Sequence, residues 1–353
     1  MSILVHGGPD ARGIPAHDFS TNANACGPCP AALAAVLAAD RVRYPDPAYA
    51  ALRERLGRLH GVARERIVIA ASASEFIRRM TAFAVRQGLG QVVVPRHGFG
   101  DYAAAAAAWG LALRAQASEG RPALLWGCEP SSPLGRADEV LAQTAPAGSI
   151  RILDRAYAPL RMAGEPTPVA DDIWQLWSPN KALGMTGVRA AYAIAPDAAR
   201  AQAMEAMAPS WPLGADGVAL LHAWAGAQAW VRQSLDTLRV WKAAQLARCT
   251  ALGWDVVPGS LANFFTVRLH RPDAEVMLAA LREQGIKLRD CTSFGLPGHA
   301  RLGVLAPSAQ DALARAWRAL ADMTPARTMG VGKATRVMAP AGQGPHPHEE
   351  GKP

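Results

Sequence analysis

Lysine is the scarce residue in this chain. Of 37 basic side chains in 353 residues, five are lysine and 32 are arginine. Other things are missing too. No run reaches the roughly 18 apolar residues of a membrane span. The opening, "MSILVHGGPDARG", lacks the basic start and long apolar stretch of a secretory leader, so the expected location is the cytoplasm. Five cysteines, an odd number, argue against a disulfide framework, and no second pair of close Cys or His residues completes a zinc site, so no metal is expected. A concentrated basic patch is also absent. The net charge of +8 comes from arginines mixed with acids, as in "LRERLGRLHGVARERI". That dispersal counts against a nucleic-acid partner, whereas an anionic small molecule fits the charge.

What remains is a soluble globular composition, 50% hydrophobic and 19% charged, long enough for a large α/β unit with a satellite. Residues 1 to 30 read as an extended arm. It carries "CGPC", whose spacing admits a redox pair but whose prolines fit the start of the helix "CPAALAAVLAA". Tyr49, Leu52, Leu56 and Leu59 form a helical stripe, and "RIVIAAS", "QVVVPRHG", "PALLWG", "SIRILDRA" and "DIWQLWS" read as buried strands. Helical stretches such as "SEFIRRMTAFAVRQG", "DYAAAAAAWG" and "ADEVLAQTA" separate several of them. That alternation predicts an α/β fold with a mostly parallel sheet between helices. Long helices are predicted over 197–208 and 214–251, followed by a smaller α+β unit holding "WDVVPGSLANFFTVRL" and "GIKLRDCTSFGLPGHARLGVL". The last residues, 327 to 353, have no apolar period and read as a disordered tail.

Among the lysines, Lys333 and Lys352 fall in that tail, Lys242 reads as a solvated helix-face residue and Lys287 alternates along a strand. Lys181 alone follows a buried-type strand, in "LWSPNKALGMTGVRAAYAI". A desolvated lysine can be neutral enough to form a Schiff base, glycines let a backbone approach a ligand, and Arg189 can fork onto a phosphate. An ordinary exposed loop lysine is the alternative on this stretch alone.

The stretch "SPNKALGMTGVR" resembles the lysine motif of the fold-type I pyridoxal-phosphate enzymes, aminotransferase class I/II. The resemblance implies pyridoxal 5'-phosphate as cofactor. It implies that Lys181 holds the cofactor, with Ser178 and Arg189 on its phosphate. "ILDRAY" resembles the strand whose aspartate pairs with the ring nitrogen, here Asp154, with Tyr157 on the ring hydroxyl. "AASASEF" resembles the phosphate turn, which assigns the N–H groups of Ala73 and Ser74. "VPRHGFGDY" assigns ring stacking to Phe99, with Tyr102 as the fallback and helix-face packing as its other role. "RYPDP" resembles the segment whose tyrosine reaches the neighbouring subunit's phosphate. Tyr44 therefore implies a homodimer with shared sites. "PGHARLGV" assigns Arg301 to a substrate carboxylate. These stretches keep the family's order over roughly residues 5 to 322.

Within the family the chain is similar to the histidinol-phosphate aminotransferase-like branch, and most of all to its threonine-phosphate decarboxylases of cobalamin biosynthesis. The stretches that carry this are "HGG", "DFSTNANACGP", "GSLANFFTVRL" and "LRDCTSFGLPGHARLGV". They assign His6, Asn24 and Arg289 to a substrate phosphate or its surroundings. The implied substrate is a small phosphorylated amino acid. The implied reaction is decarboxylation of L-threonine O-3-phosphate to (R)-1-aminopropan-2-yl phosphate, with a histidinol-phosphate type aminotransferase as the alternative. The implied division is an arm with part of the small domain (1–40), a large cofactor-binding domain (41–235), a small C-terminal domain (236–326) and the tail (327–353). Three departures stand out. The family's asparagine on the ring hydroxyl is Ser132 in "EPSSPLG", whose shorter side chain still offers a hydroxyl donor to the cofactor, its "DEAY" is "DRAY" with Arg155, and the glycine before the phosphate turn is Ala71.

Overall fold

The computed structural model describes residues 6–323. The arm enters through a short strand β1 (His17–Asp18) and leads to α1 (Pro30–Leu37) and α2 (Ala50–His60). Then come β2 (Ile67–Ala70), α3 (Ala73–Arg86), β3 (Gln91–Val93), α4 (Gly100–Ala108), β4 (Ala112–Arg114), β5 (Leu124–Cys128), β6 (Ile150–Asp154), β7 (Trp174–Trp177) and β8 (Ala191–Ile194). Helices α5 (Ala198–Glu205), α6 (Ala215–Gly226) and α7 (Gln228–Ala251) follow. The chain closes with β9 (Asp255–Val256), β10 (Phe264–Arg268), α8 (Ala274–Glu283), β11 (Ile286–Lys287), β12 (Arg289–Asp290), β13 (His299–Gly303) and α9 (Pro307–Met323).

Seven strands form one sheet in the order β2-β8-β7-β6-β5-β3-β4. The pairs from β7 through β4 are parallel, while β8 runs antiparallel to both β7 and β2. Strands β2, β5 and β8 are buried along their whole length, as expected when helices cover both faces. One face packs Val68, Leu176 and Ala193 against Phe76 and Ile77 of α3 and Met204 of α5. The other packs Ile69 and Ile194 against Leu52 and Leu56 of α2 and Leu220 and Trp224 of α6. Each such side chain fully withdrawn from water contributes roughly 1.5–3 kcal/mol.

A second, antiparallel sheet has the order β12-β13-β10-β9. The arm ties it to the large sheet. Strand β1 pairs with β11, and Phe19 O accepts from the Gly303 amide at 2.7 Å. Helix α7 runs unbroken through residues 235 and 236, where the sequence reading draws a domain boundary. Parallel strands β5, β6 and β7 end on one side, where the arm and the second sheet converge, and open α/β sheets bind ligands outside these carboxyl ends.

Three expectations about elements change. The helix expected over "ADEVLAQTA" is a set of turns. Asp138 accepts there from the amides of Leu141 (2.7 Å) and Cys128 (3.0 Å), and such side-chain bonds compete with helix formation. The helix expected over 214–251 breaks at Ala227, between α6 and α7. Lys242 is not a solvated face residue. Its Nζ donates to Ser260 O (2.9 Å), Ser260 Oγ (3.3 Å) and Ala262 O (2.7 Å), fastening α7 to the turn before β10. The tail expected over 327–353 lies outside the described residues. Among those residues no helix is long and apolar enough to cross a membrane, and no group of three His, Cys, Asp or Glu side chains converges as a metal site.

Candidate active site

Strand β7 alternates, with Trp174 and Leu176 buried on one face and Gln175 and Trp177 half-buried on the other. The chain then turns through Ser178, Asn180 and Lys181 before β8. Backbone bonds to the arm hold this turn. Lys181 O accepts from the Asn24 amide at 2.9 Å and Leu183 O accepts from the Cys29 amide at 2.8 Å. Asn180 Oδ1 accepts from the Lys181 amide at 3.0 Å. The Lys181 amine lies over the Tyr157 ring, 5.4 Å from its centre. It has no carboxylate partner among the described residues.

Asp154 ends β6, beside its Cα partner Cys128 on β5. Its Oδ1 accepts from the Ala156 amide (2.9 Å) and its Oδ2 from the Tyr102 hydroxyl (2.7 Å). Burial pushes this carboxyl above the usual aspartate range, while those two hydrogen bonds and the Lys181 charge pull it back. At the start of α3, Ser72 Oγ accepts from the Glu75 amide at 3.1 Å. Ala73 and Ser74 lie in that first turn, where no intrahelical carbonyl can accept their N–H groups. Ser178 Oγ is buried without a partner, and the Arg189 guanidinium is exposed.

Two facing guanidinium groups form the other wall. Arg289 and Arg301 are Cα partners on β12 and β13, so both side chains leave the same face of the sheet. They are 5% and 6% exposed. Arg289 packs over the Phe294 ring at 4.6 Å and donates to Ser293 Oγ at 2.7 Å and to the Asp290 carbonyl. Burial, and then the Arg301 charge, lower its hold on its proton. Arg301 lies over Phe264 at 5.6 Å and donates to Ser132 Oγ (2.7 Å) and Ser20 O (2.6 Å). Ser132, the replacement for the family asparagine, is thus held by the arginine opposite it.

The remaining expected residues fall as follows. Phe99 caps α4 and its ring meets His6 at 5.7 Å, and His6 Nε2 lies 3.7 Å from Asp101 Oδ1. His97 on the same loop shares a 2.6 Å hydrogen bond with Phe294 O, linking the stacking segment to the arginine wall. Tyr157 packs edge-on against Phe264 at 4.8 Å. Tyr44 stands apart, 78% exposed and stacked on Trp211 at 4.4 Å.

Two expectations are corrected. Asn24 is not open to a substrate: its Nδ2 donates to Ala182 O (3.1 Å) and Ser234 Oγ (2.7 Å), and its Oδ1 accepts from the Cys26 amide (3.0 Å). The unpartnered amide is that of Asn22, buried at 1% exposed, with both side-chain atoms lacking a hydrogen-bond partner. Gly184, at φ +67°, admits the arm rather than a ligand, since a Cβ there would lie 2.9 Å from Gly27 Cα. Gly187 faces open space. Sequence reasoning missed Asn22 and Trp211, and the pattern that finds Asn24 finds Asn22 two residues earlier. "CGPC" holds two free thiols, with Cys29 preceding Pro30 at the start of α1.

The donor set fits pyridoxal 5'-phosphate. A buried unpartnered hydroxyl, two helix-start N–H groups and an arginine suit its phosphate. An amine without an acid partner suits its aldehyde, and a buried carboxylate suits its ring nitrogen.

Comparison with known proteins agrees. The family model "Aminotransferase class I and II" matches residues 15–320. A histidinol-phosphate aminotransferase of Halorubrum lacusprofundi is 29% identical over 345 residues, covering 88% of this chain and 92% of that one. The structure of histidinol-phosphate aminotransferase from Sinorhizobium meliloti in complex with pyridoxal-5'-phosphate superposes with a TM-score of 0.78. It is 21% identical, and the match covers 90% of this chain and 96% of that one. L-threonine-O-3-phosphate decarboxylase from Porphyromonas gingivalis superposes with a TM-score of 0.67 and 20% identity, covering 82% and 92%.

Proposed function

We propose that this chain, which belongs to the aminotransferase class I and II family and has the fold-type I architecture, is a pyridoxal 5'-phosphate enzyme that transfers the amino group of a small phosphorylated amino compound, as histidinol-phosphate aminotransferases do. The observation that carries the substrate class is the buried pair Arg289 and Arg301 on one sheet face. Two guanidiniums that leave one sheet face side by side present the forked N–H donors that suit a phosphate or carboxylate, which supports an anionic substrate. The histidinol-phosphate aminotransferase relative supports the reaction type.

When bound, the cofactor supplies a ring that withdraws electrons from the substrate Cα. The protein does the rest. Lys181 would hold the cofactor through its amine and, as a free amine, would move the proton at the substrate Cα. Asp154 would hold the proton on the ring nitrogen, Tyr157 would serve the ring hydroxyl and Phe99 the ring face. Ser178, Arg189 and the N–H groups of Ala73 and Ser74 would hold its phosphate, and Tyr44 would come from a second copy. Arg301 binds a carboxylate. Arg289, with His6 and the Asn22 amide, binds the substrate phosphate. Ser132 keeps Arg301 in place rather than serving the ring.

Decarboxylation of threonine phosphate is the second reading. The same wall favours it, because threonine phosphate carries both a carboxylate and a phosphate, whereas histidinol phosphate carries only the phosphate. One experiment separates them. The loaded enzyme is given each compound, and amino transfer to 2-oxoglutarate is assayed beside CO₂ release. Transfer from histidinol phosphate supports the first reading. CO₂ from threonine phosphate without transfer overturns it in favour of the second.

A further inference from the structure

The first turn of α4 does two jobs at once. Phe99 sits at its cap, and Tyr102, one turn later, points the same way, with the two rings edge to face at 5.8 Å. Tyr102 is fully buried and its ring stacks on Trp126 at 4.9 Å and 15°. Its hydroxyl reaches the one acceptor that matters, Asp154 Oδ2, at 2.7 Å. We infer that Tyr102 is a positioning residue for Asp154, whose phenol O–H fixes the carboxylate in the orientation that meets the cofactor's ring nitrogen and holds it there as an anion. The inference rests on the reading that Asp154 faces that nitrogen.

Chemistry supports a role beyond packing. An apolar partner at this position would fill the same space and leave a buried carboxylate oxygen with one donor fewer, a costly arrangement. The groups facing Asp154 are Tyr102 from α4, Cys128 from β5, the Ala156 amide and Lys181 from the loop after β7. Burial, reinforced by the Asp154 charge, pushes the Tyr102 phenol far above its ordinary range, so it stays a donor at every working pH. Burial does the same to the Cys128 thiol, which therefore adds no competing negative charge. Tyr102 is thus a neutral donor that favours the charged carboxylate without neutralising it. A cation in its place would compete with the ring nitrogen for that charge.

The test uses the full chain and four proteins: wild type, Tyr102→Phe, Asp154→Asn and the double variant. The dissociation constant for pyridoxal 5'-phosphate and the visible spectrum of the bound cofactor are measured across pH, with thermal melting as the check on folding. Tyr102→Phe keeps the ring stack and removes one O–H, so it should still fold cooperatively and melt only a few degrees below wild type. It should bind the cofactor about 10-fold more weakly, the effect of one hydrogen bond to a charged group. Its acid limb and spectral titration should both move to higher pH. Asp154→Asn should lose more affinity and have no acid limb, and the double variant should be no worse than Asp154→Asn. The inference fails if the Tyr102→Phe pH profiles superimpose on wild type, or if the two losses simply add. If Asp154→Asn itself leaves affinity and spectrum unchanged, the reading of Asp154 fails, and the inference falls with it.

Discussion

Lysine's scarcity made Lys181 legible as a residue, because arginine cannot do what an unprotonated amine does. Lys181→Arg should therefore keep the fold and lose covalent attachment. Reduction of the loaded protein with borohydride, followed by mass measurement, should add the cofactor's mass to wild type and nothing to the variant. Other residues were illegible for a physical reason. Asn22 and Asn24 look equivalent until the arm folds, when Ser234, 210 residues from Asn24, takes one amide and leaves the other without a partner. Tyr102 could be read as a stacking ring because a sequence does not say which acceptor its hydroxyl reaches. His60 offers a residue-scale prediction outside the site. It shares a 2.7 Å hydrogen bond with Tyr192, and burial, followed by the Arg155 charge, depresses it to about 4. The folded state thus keeps His60 neutral where the unfolded chain, at about 6.5, binds a proton. Stability should fall as pH drops from about 6.5 to about 4, by up to ~3 kcal/mol from this residue. Urea unfolding across that window should show a slope in wild type that shrinks in His60→Gln. Equal slopes would remove His60 from the account.

At the scale of elements, the strands and the lysine turn followed from apolar runs and their punctuation, but their mutual register did not. Arg289 and Arg301 are 12 positions apart, and nothing in that spacing says they face each other. Antiparallel pairing of β12 with β13 makes them neighbours. Arg289→Gln should raise KM for the phosphorylated substrate by roughly 10- to 100-fold, the loss of one charge-assisted contact. It should leave cofactor affinity unchanged, since Asp154 and Ser178 belong to other elements. An unchanged KM would place the phosphate elsewhere. Gly184 shows the same limit from the other side. Its partner Gly27 lies 157 residues away, so its role in seating the arm against the lysine turn was read as room for a ligand. Gly184→Ala would add a Cβ at φ +67° and crowd Gly27 Cα. It should cost about 1–3 kcal/mol and loosen the cofactor. Thermal melting and cofactor titration should therefore move together, whereas Gly187→Ala, in open space, should move neither.

At the scale of the whole molecule, the exposed aromatic pair asks for a partner. Tyr44 stacks on Trp211, and the indole nitrogen donates to Pro45 O at 3.2 Å, so the two rings are tied together yet left in solvent. Val42 and Leu37 nearby are also exposed. Exposed apolar groups that are held in place mark an interface more often than an isolated surface. A twofold dimer in which each Tyr44 serves the other copy's phosphate site makes a strict prediction. A Lys181→Ala subunit has no working site of its own but still lends a good Tyr44. A Tyr44→Ala subunit keeps Lys181 but cripples its partner. Each homodimer should be inactive or nearly so, whereas a mixed dimer has one site with Lys181 from one subunit and Tyr44 from the other. One of its two sites is complete, so the purified mixed dimer should recover about half of wild-type activity. If Tyr44 served its own subunit, no arrangement of these two chains would rebuild a complete site. Co-expression of the two variants with distinct tags, purification of the mixed species and an activity assay read the answer directly: recovered turnover supports shared sites, and a mixed dimer as dead as its parents rules them out.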